Sequence, residues 1–158
     1  MKSTRPSRDA GGRSKIRTSP FFREMPPRVL GEIARFLQEK SFPRGSILLK
    51  ENGRAHRFFI LLEGTVALSI RRGKEELIME VIKKKGSLFG WSALVPPRKY
   101  TATARALEDT QVLIADGKKL EKVFQRYPSS GWRFLRRLST IIATRLSRAR
   151  SLLADTLS

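Results

Sequence analysis

The spacing of apolar residues changes period twice along this chain. Behind Pro26-Pro27, whose fixed φ suits a helix start, Leu30, Ile33, Ala34 and Leu37 fall at i, i+3, i+4 and i+7, which predicts a short helix running to about Glu39. Between Ser41 and Ile114 the period drops to two: Val66, Leu68 and Ile70 alternate with Thr65, Ala67 and Ser69, Leu77, Met79 and Val81 alternate with their neighbours, and Ala102, Ala104 and Ala106 alternate with Thr101, Thr103 and Arg105. Pro43, Gly45, Gly53, Gly64, Gly73, Gly86 and Pro96-Pro97 punctuate these runs. They space several short strands roughly 8 to 12 residues apart, the pattern of a small sandwich or barrel. After Gly117 helical spacing returns with Leu120, Val123 and Phe124, and Pro128-Ser129-Ser130 opens a last, long helix. Along it Leu135, Leu138, Ile142, Leu146, Ala149 and Leu153 step by three or four, a narrow apolar stripe.

The expected organisation is a mainly β α+β domain over residues 20–127, carrying a flanking N-terminal helix, with a long C-terminal helix over residues 128–158. Residues 1–19 hold Ser, Thr, Arg, Lys, Gly and Pro around one aliphatic anchor, Ile16, too little to offset the entropy of ordering them, and are expected to form a disordered basic arm. With 158 residues the chain suffices for one real core.

Composition removes several classes of chemistry. The chain has no cysteine and a single histidine, His56. Disulfides, zinc fingers, iron–sulfur clusters and thiol catalysis are therefore excluded, and metal sites or His-based triads nearly so. No phosphate-binding GxxxxGK[ST] loop or G-x-S-x-G elbow occurs, and the acid pair Glu75-Glu76 follows Gly73 in a predicted exposed hairpin. The chain is not expected to be an enzyme. No apolar run approaches the roughly 18 residues of a membrane span, and no signal-like segment opens the chain, so a cytoplasmic protein without a transmembrane segment is expected.

Charge is the other strong signal. Thirty-three Lys and Arg oppose fourteen Asp and Glu, a formal net charge of +19. Residues 1–20 carry six basic side chains and Asp9, and residues 128–158 carry six arginines and Asp155, so each end bears +5. Arg133, Arg136, Arg137, Arg145, Arg148 and Arg150 lie in the last helix with no acid between 132 and 150, where i, i+3 and i, i+4 neighbours repel. Nucleic-acid phosphates, acidic lipid head groups or acids on the chain's own middle domain would relieve this.

Two segments carry a resemblance. "FPRGSILLKENGRAHRFFILLEGTVALSI" and "KKGSLFGWSALVPPRKYTATARALEDTQVLIAD" keep glycines, the Phe89-Gly90 pair and Thr103-Ala104-Arg105-Ala106 in an order that resembles the cyclic-nucleotide-binding domain, the effector module of catabolite-activator-type regulators, cyclic-nucleotide-dependent kinases and gated channels. The resemblance covers about Phe21 to Leu153 and implies a jelly-roll β-roll, a double-stranded β-helix. It further implies a phosphate-binding cassette in which a turn at Phe89-Gly90 presents backbone N–H groups to an anion, with Ser92, Lys99 and Thr101 around it.

Two positions depart from the family pattern. Where the resemblance implies a glutamate accepting from the ribose, this chain has Trp91, which donates but cannot accept. Where it implies an arginine forked onto the phosphate, this chain has Tyr100. Losing a charge-assisted hydrogen bond costs roughly 1.5 to 3 kcal/mol, about one to two decades in affinity, so ordinary cyclic AMP binding is not expected. If the segment is extended, Arg98 shares a side with Tyr100 and could replace the charge, so that a cyclic nucleotide or another small anionic ligand binds. Alternatively, Trp91 and Tyr100 stack on a different ligand or simply fill the pocket.

In the family the last helix pairs with its twin and lends a polar residue to the base, a position that reads Ala149-Arg150 here. The stripe Leu135, Leu138, Ile142, Leu146, Ala149 and Leu153 is accordingly expected to form a homodimer interface. With the chain ending at Ser158, no winged helix-turn-helix is expected. The reading is a non-enzymatic ligand-sensing module. Its alternative is a ligand-free basic protein meeting an anionic polymer, a membrane surface or a partner protein through its basic ends.

Overall fold

A computed structural model describes residues 4–6 and 9–158, with side chains from Gly12 onward. Two antiparallel sheets form the roll. Strands β1 (Thr4–Pro6), β2 (Gln38–Phe42), β4 (Arg57–Glu63), β7 (Leu88–Phe89) and β9 (Thr110–Asp116) make one sheet in the order β1-β2-β9-β4-β7. Strands β3 (Ile47–Leu49), β5 (Val66–Arg72), β6 (Glu75–Ile82) and β8 (Thr103–Ala106) make the other in the order β3-β8-β5-β6. Helices α1 (Asp9–Ile16), α2 (Pro27–Ala34), α3 (Gly117–Arg126) and α4 (Pro128–Leu157) flank the roll.

Strand β4 shows why its sequence is a continuous apolar run, where β8 alternates. Phe58, Ile60 and Leu62 face the helices and join a cluster with Leu30, Ile33, Leu120 and Phe134, while Phe59 and Leu61 face the roll interior with Phe89, Val112 and Ala104. Both faces are covered, so both parities are apolar. Strand β6 is the opposite case. It is the edge of its sheet, and Leu77, Ile78, Met79 and Val81 are all exposed, with only Ile82 buried.

Three sequence expectations need correction. The predicted first helix stops at Ala34, and Gln38–Phe42 form β2, because five residues there pair in register with β9. Within residues 1–19, expected to be a disordered arm, Thr4–Pro6 pair with β2 and Asp9–Ile16 form α1; residues 1–3 and 7–8 of the arm lie outside the described residues. Ile16 is fully buried beside Phe22 and Leu30, so one aliphatic anchor suffices when the host core supplies the rest of the surface. Finally, Leu138 belongs to the protein's own core, not to an outer stripe. With Phe134 it is buried against the roll, whereas Leu135, Ile142, Leu146, Ala149 and Leu153 are exposed. Past Arg145 every side chain of α4 is exposed.

Candidate functional site

The segment between β7 and β8 carries the residues singled out in the sequence. It opens at Gly90, whose φ of 74° lies in the left-handed region. A Cβ there would stand 3.1 Å from both Leu49 Cδ2 and Phe59 Cδ1, so the position demands glycine on two counts. The turn then continues as a short 3₁₀ helix, Trp91–Leu94. Gly117 lets the start of α3 pack directly on it, since a Cβ would meet the Ala93 carbonyl oxygen at 2.5 Å.

The closing end of the segment is pinned to the turn ahead of β4. Ala55 N–H donates to the Arg98 carbonyl at 2.7 Å, Tyr100 N–H to the Gly53 carbonyl at 2.9 Å, and Asn52 N–H to the Tyr100 carbonyl at 2.8 Å. This bonding aims the Tyr100 side chain into the roll, where it is 9% exposed and packs with Phe59, Phe89, Ala93 and Ala104. Its hydroxyl donates to the Arg57 carbonyl at 2.6 Å. Burial pushes that hydroxyl above its ordinary pKa, the Arg57 hydrogen bond partly opposing.

Trp91 takes the other direction. It packs against the cluster on the helical side of the roll, and the Arg145 guanidinium of α4 lies over its ring, 4.2 Å from the centroid. Arg145 also pairs with Glu80 of β6 at 2.8 Å, both side chains a little over a quarter exposed. Burial lowers the Arg145 pKa and Glu80 counteracts it. One arginine thus links the opening of the segment, the edge strand and the last helix. Neither Glu80 nor Arg145 stood out as a site residue in the sequence. The readable signal was that an acid-free arginine helix needs acids elsewhere, and for Arg145 the acid is Glu80.

Arg98 does not stand beside Tyr100 as extended geometry would require. Its φ is +59°, which breaks the alternation, and its guanidinium donates to the Ala93 carbonyl at 2.9 Å and to Glu121 of α3 at 2.9 Å. It braces the outside of the segment. Phe89 is fully buried and stacked on Phe59 at 5.1 Å, so it is a wall of the interior. Ser92 is half-buried, and Lys99 and Thr101 are exposed. Of the predicted ligand residues, the fold therefore gathers Phe89, Gly90 and Tyr100 around one interior, while Trp91 packs toward α4 and Arg98 bonds to Ala93 and to Glu121 of α3. Among the described residues no cluster of three or more acids or histidines could hold a metal.

The family model for the cyclic nucleotide-binding domain matches residues 39–127. This chain belongs to that family. The crystal structure of a Geobacter metallireducens protein assigned to cyclic nucleotide binding is 30% identical, with a TM-score of 0.73 over 84% of this chain and 96% of that one. The CRP-like cAMP-activated global transcriptional regulator of Mycobacterium tuberculosis is 26% identical over 85% of this chain and 58% of its own length. The cyclic nucleotide-gated potassium channel of Mesorhizobium japonicum is 25% identical over 68% of this chain and 31% of its own length. The chain thus spans 58% and 31% of the length of these two curated relatives. No helix among the described residues is long and apolar enough to cross a membrane.

Proposed function

We propose that this chain is a non-enzymatic regulatory module whose nucleotide pocket is closed from within. The observation that carries the reading is Tyr100. At the position of the family's phosphate-binding arginine stands an aromatic ring that is buried, anchored by its hydroxyl to Arg57, and wedged among Phe59, Phe89 and Ala104. A nucleotide would have to displace that ring and would then find neither the phosphate-binding fork nor, with Trp91 turned toward α4, the ribose acceptor. Arg98 is engaged with Ala93 and Glu121 and supplies no replacement. Cyclic AMP therefore binds weakly, or a different ligand takes the site. The module works in the cytoplasm and passes its signal through α4, whose exposed Leu135, Ile142, Leu146 and Leu153 pair with a second copy.

A thermal-shift series over cyclic mono- and dinucleotides tests this, since a ligand that binds only the folded state stabilises it by RT ln(1 + [L]/Kd). The unmodified chain should not shift with cyclic AMP, and Tyr100→Arg combined with Trp91→Glu should. A double variant that folds and still shows no shift would mean that something other than these two residues closes the pocket. The pairing has its own check in sedimentation: Ile142→Glu should give a monomer, and an unmodified chain that is monomeric at high concentration would refute it.

A further inference from the structure

Helix α4 carries two unlike strips on either side of the residues that seat it on the roll. At about 100° per residue, Leu135, Ile142, Leu146 and Leu153 fall to one side of Phe134, Leu138, Ile141 and Arg145. Arg133, Arg137, Thr140, Thr144 and Arg148 fall to the other. On that second side lies a recess of about 540 Å³ between α4 and the Pro20–Met25 segment, lined by Arg133, Arg136 and Arg137. A second recess of about 410 Å³ lies between α4 and the turn after β6, lined by Lys84, Lys85 and Arg148. Both include Pro20, Phe21 and Ile141, so they adjoin along one side of α4 and together form a trough.

The trough is strongly cationic and uncompensated. Seven basic side chains line it against two acids, Glu24 and Glu80, and Glu80 is already paired with Arg145. Arg133, Arg136, Arg137, Arg148, Lys84 and Lys85 make no ion pair among the described residues. Like charges held at i, i+3 and i, i+4 destabilise a free helix. The arrangement is relieved when a polyanion lies along it. Arg133 and Arg148 are separated by 15 residues of helix, about 22 Å at 1.5 Å per residue, a reach that suits a polymer with repeating charge better than a single small anion.

We propose that this trough holds the phosphate backbone of a single nucleic-acid strand. Guanidinium forks match phosphate oxygens in pairs, and four of the six unpaired cations are arginines. A bilayer is a poorer fit because the apolar floor residues Phe21 and Met25 are buried and offer nothing to insert. With Phe21 buried, no base stacks on the floor, so recognition is through phosphates and indifferent to sequence. The proposal is independent of whether Tyr100 excludes cyclic AMP.

Fluorescence anisotropy with a labelled oligothymidylate of about 20 nucleotides, repeated over a salt series, reads the contacts directly. Replacing Arg136, Arg137, Lys84 and Lys85 with Gln should make the slope of log K against log salt shallower by about three, at about 0.7 per phosphate on a single strand. Neutralising four exposed cations elsewhere, Arg44, Arg54, Lys118 and Lys122, changes net charge equally and should move the slope by less than about one. Equal loss in both variants would overturn the trough as the site. So would absence of binding at low salt, binding confined to duplex, or tighter binding to polyglutamate or to phosphatidylserine vesicles than to the oligonucleotide.

Discussion

The two ends of the segment between β7 and β8 are built from different physics. At the Tyr100 end the aromatic is enclosed by apolar side chains, its hydroxyl is satisfied internally, and three backbone hydrogen bonds fix its place. At the Trp91 end the aromatic is half-buried and covered by a guanidinium that is itself held by a carboxylate on an edge strand. The first is core, and removing it leaves a void. The second is a polar clasp beside the buried Phe134 and Leu138 that seat α4.

The largest consequence is in stability. Tyr100→Ala should cost about 3–5 kcal/mol, the range for removing a buried aromatic. Arg145→Ala should cost about 0.5–2 kcal/mol, since a cation–π contact contributes about 0.5–1 and a partly exposed ion pair up to about 1. Urea denaturation ranks the two, and an Arg145 loss as large as that of Tyr100 would show that the clasp is core after all. Trp91 fluorescence should change with Arg145→Ala, best read in a Trp132→Phe background because Trp132 is 66% exposed and would dominate quenching.

A smaller effect separates the hydroxyl from the ring. Tyr100→Phe keeps the packing and loses one hydrogen bond, about 1 kcal/mol. It should also change the alkaline response. Tyr100 is raised above its ordinary 10.0 by burial, and Tyr127 above the same value first by its hydrogen bond with Glu32. A raised folded-state pKa means that stability is intact below pH 10 and is lost as pH climbs through the elevated values. The urea midpoint should fall above about pH 10, and Tyr100→Phe should make that fall shallower. An unchanged pH profile in Tyr100→Phe would place its hydroxyl in water, contrary to the 2.6 Å bond with Arg57.

The smallest comparison concerns Arg98. Because its partners are the Ala93 carbonyl and Glu121, Arg98→Ala should leave whatever affinity a phosphate ligand has unchanged in a titration, with a modest loss of stability. A fall of a decade or more in affinity would put Arg98 back at the pocket.

Much of this was readable from residue order alone. The alternation of β8, the helix start at Pro128, and the Phe89-Gly90 turn all rest on local chemistry, and local chemistry survives folding; in β5 a bulge between Leu68 and Ser69 breaks the alternation, so that Ala67 and Ser69 are buried and Leu68 and Ile70 only half-buried. The failures share a different cause. Arg98 could be placed beside Tyr100 only by assuming extended backbone, and a positive φ reversed it. Leu138 and Leu135 look equivalent in a stripe, yet only the neighbouring Phe22, Phe58 and Phe134 decide which is buried. Ile16 alone does not predict an ordered segment, because much of the cluster that buries it comes from α2 and from strands distant in sequence. The departure at Trp91 was legible as a lost acceptor. That its ring would serve as a platform for Arg145 was not, since the contact spans 54 residues and depends on Glu80 as a third partner.

Titration calorimetry of the unmodified chain with cyclic AMP addresses the central claim, that Tyr100 occupies the nucleotide's place. The account predicts heats no larger than dilution across the micromolar range. A saturable isotherm with a micromolar Kd would contradict it, because the ring would then have to leave a site where packing and a hydrogen bond hold it.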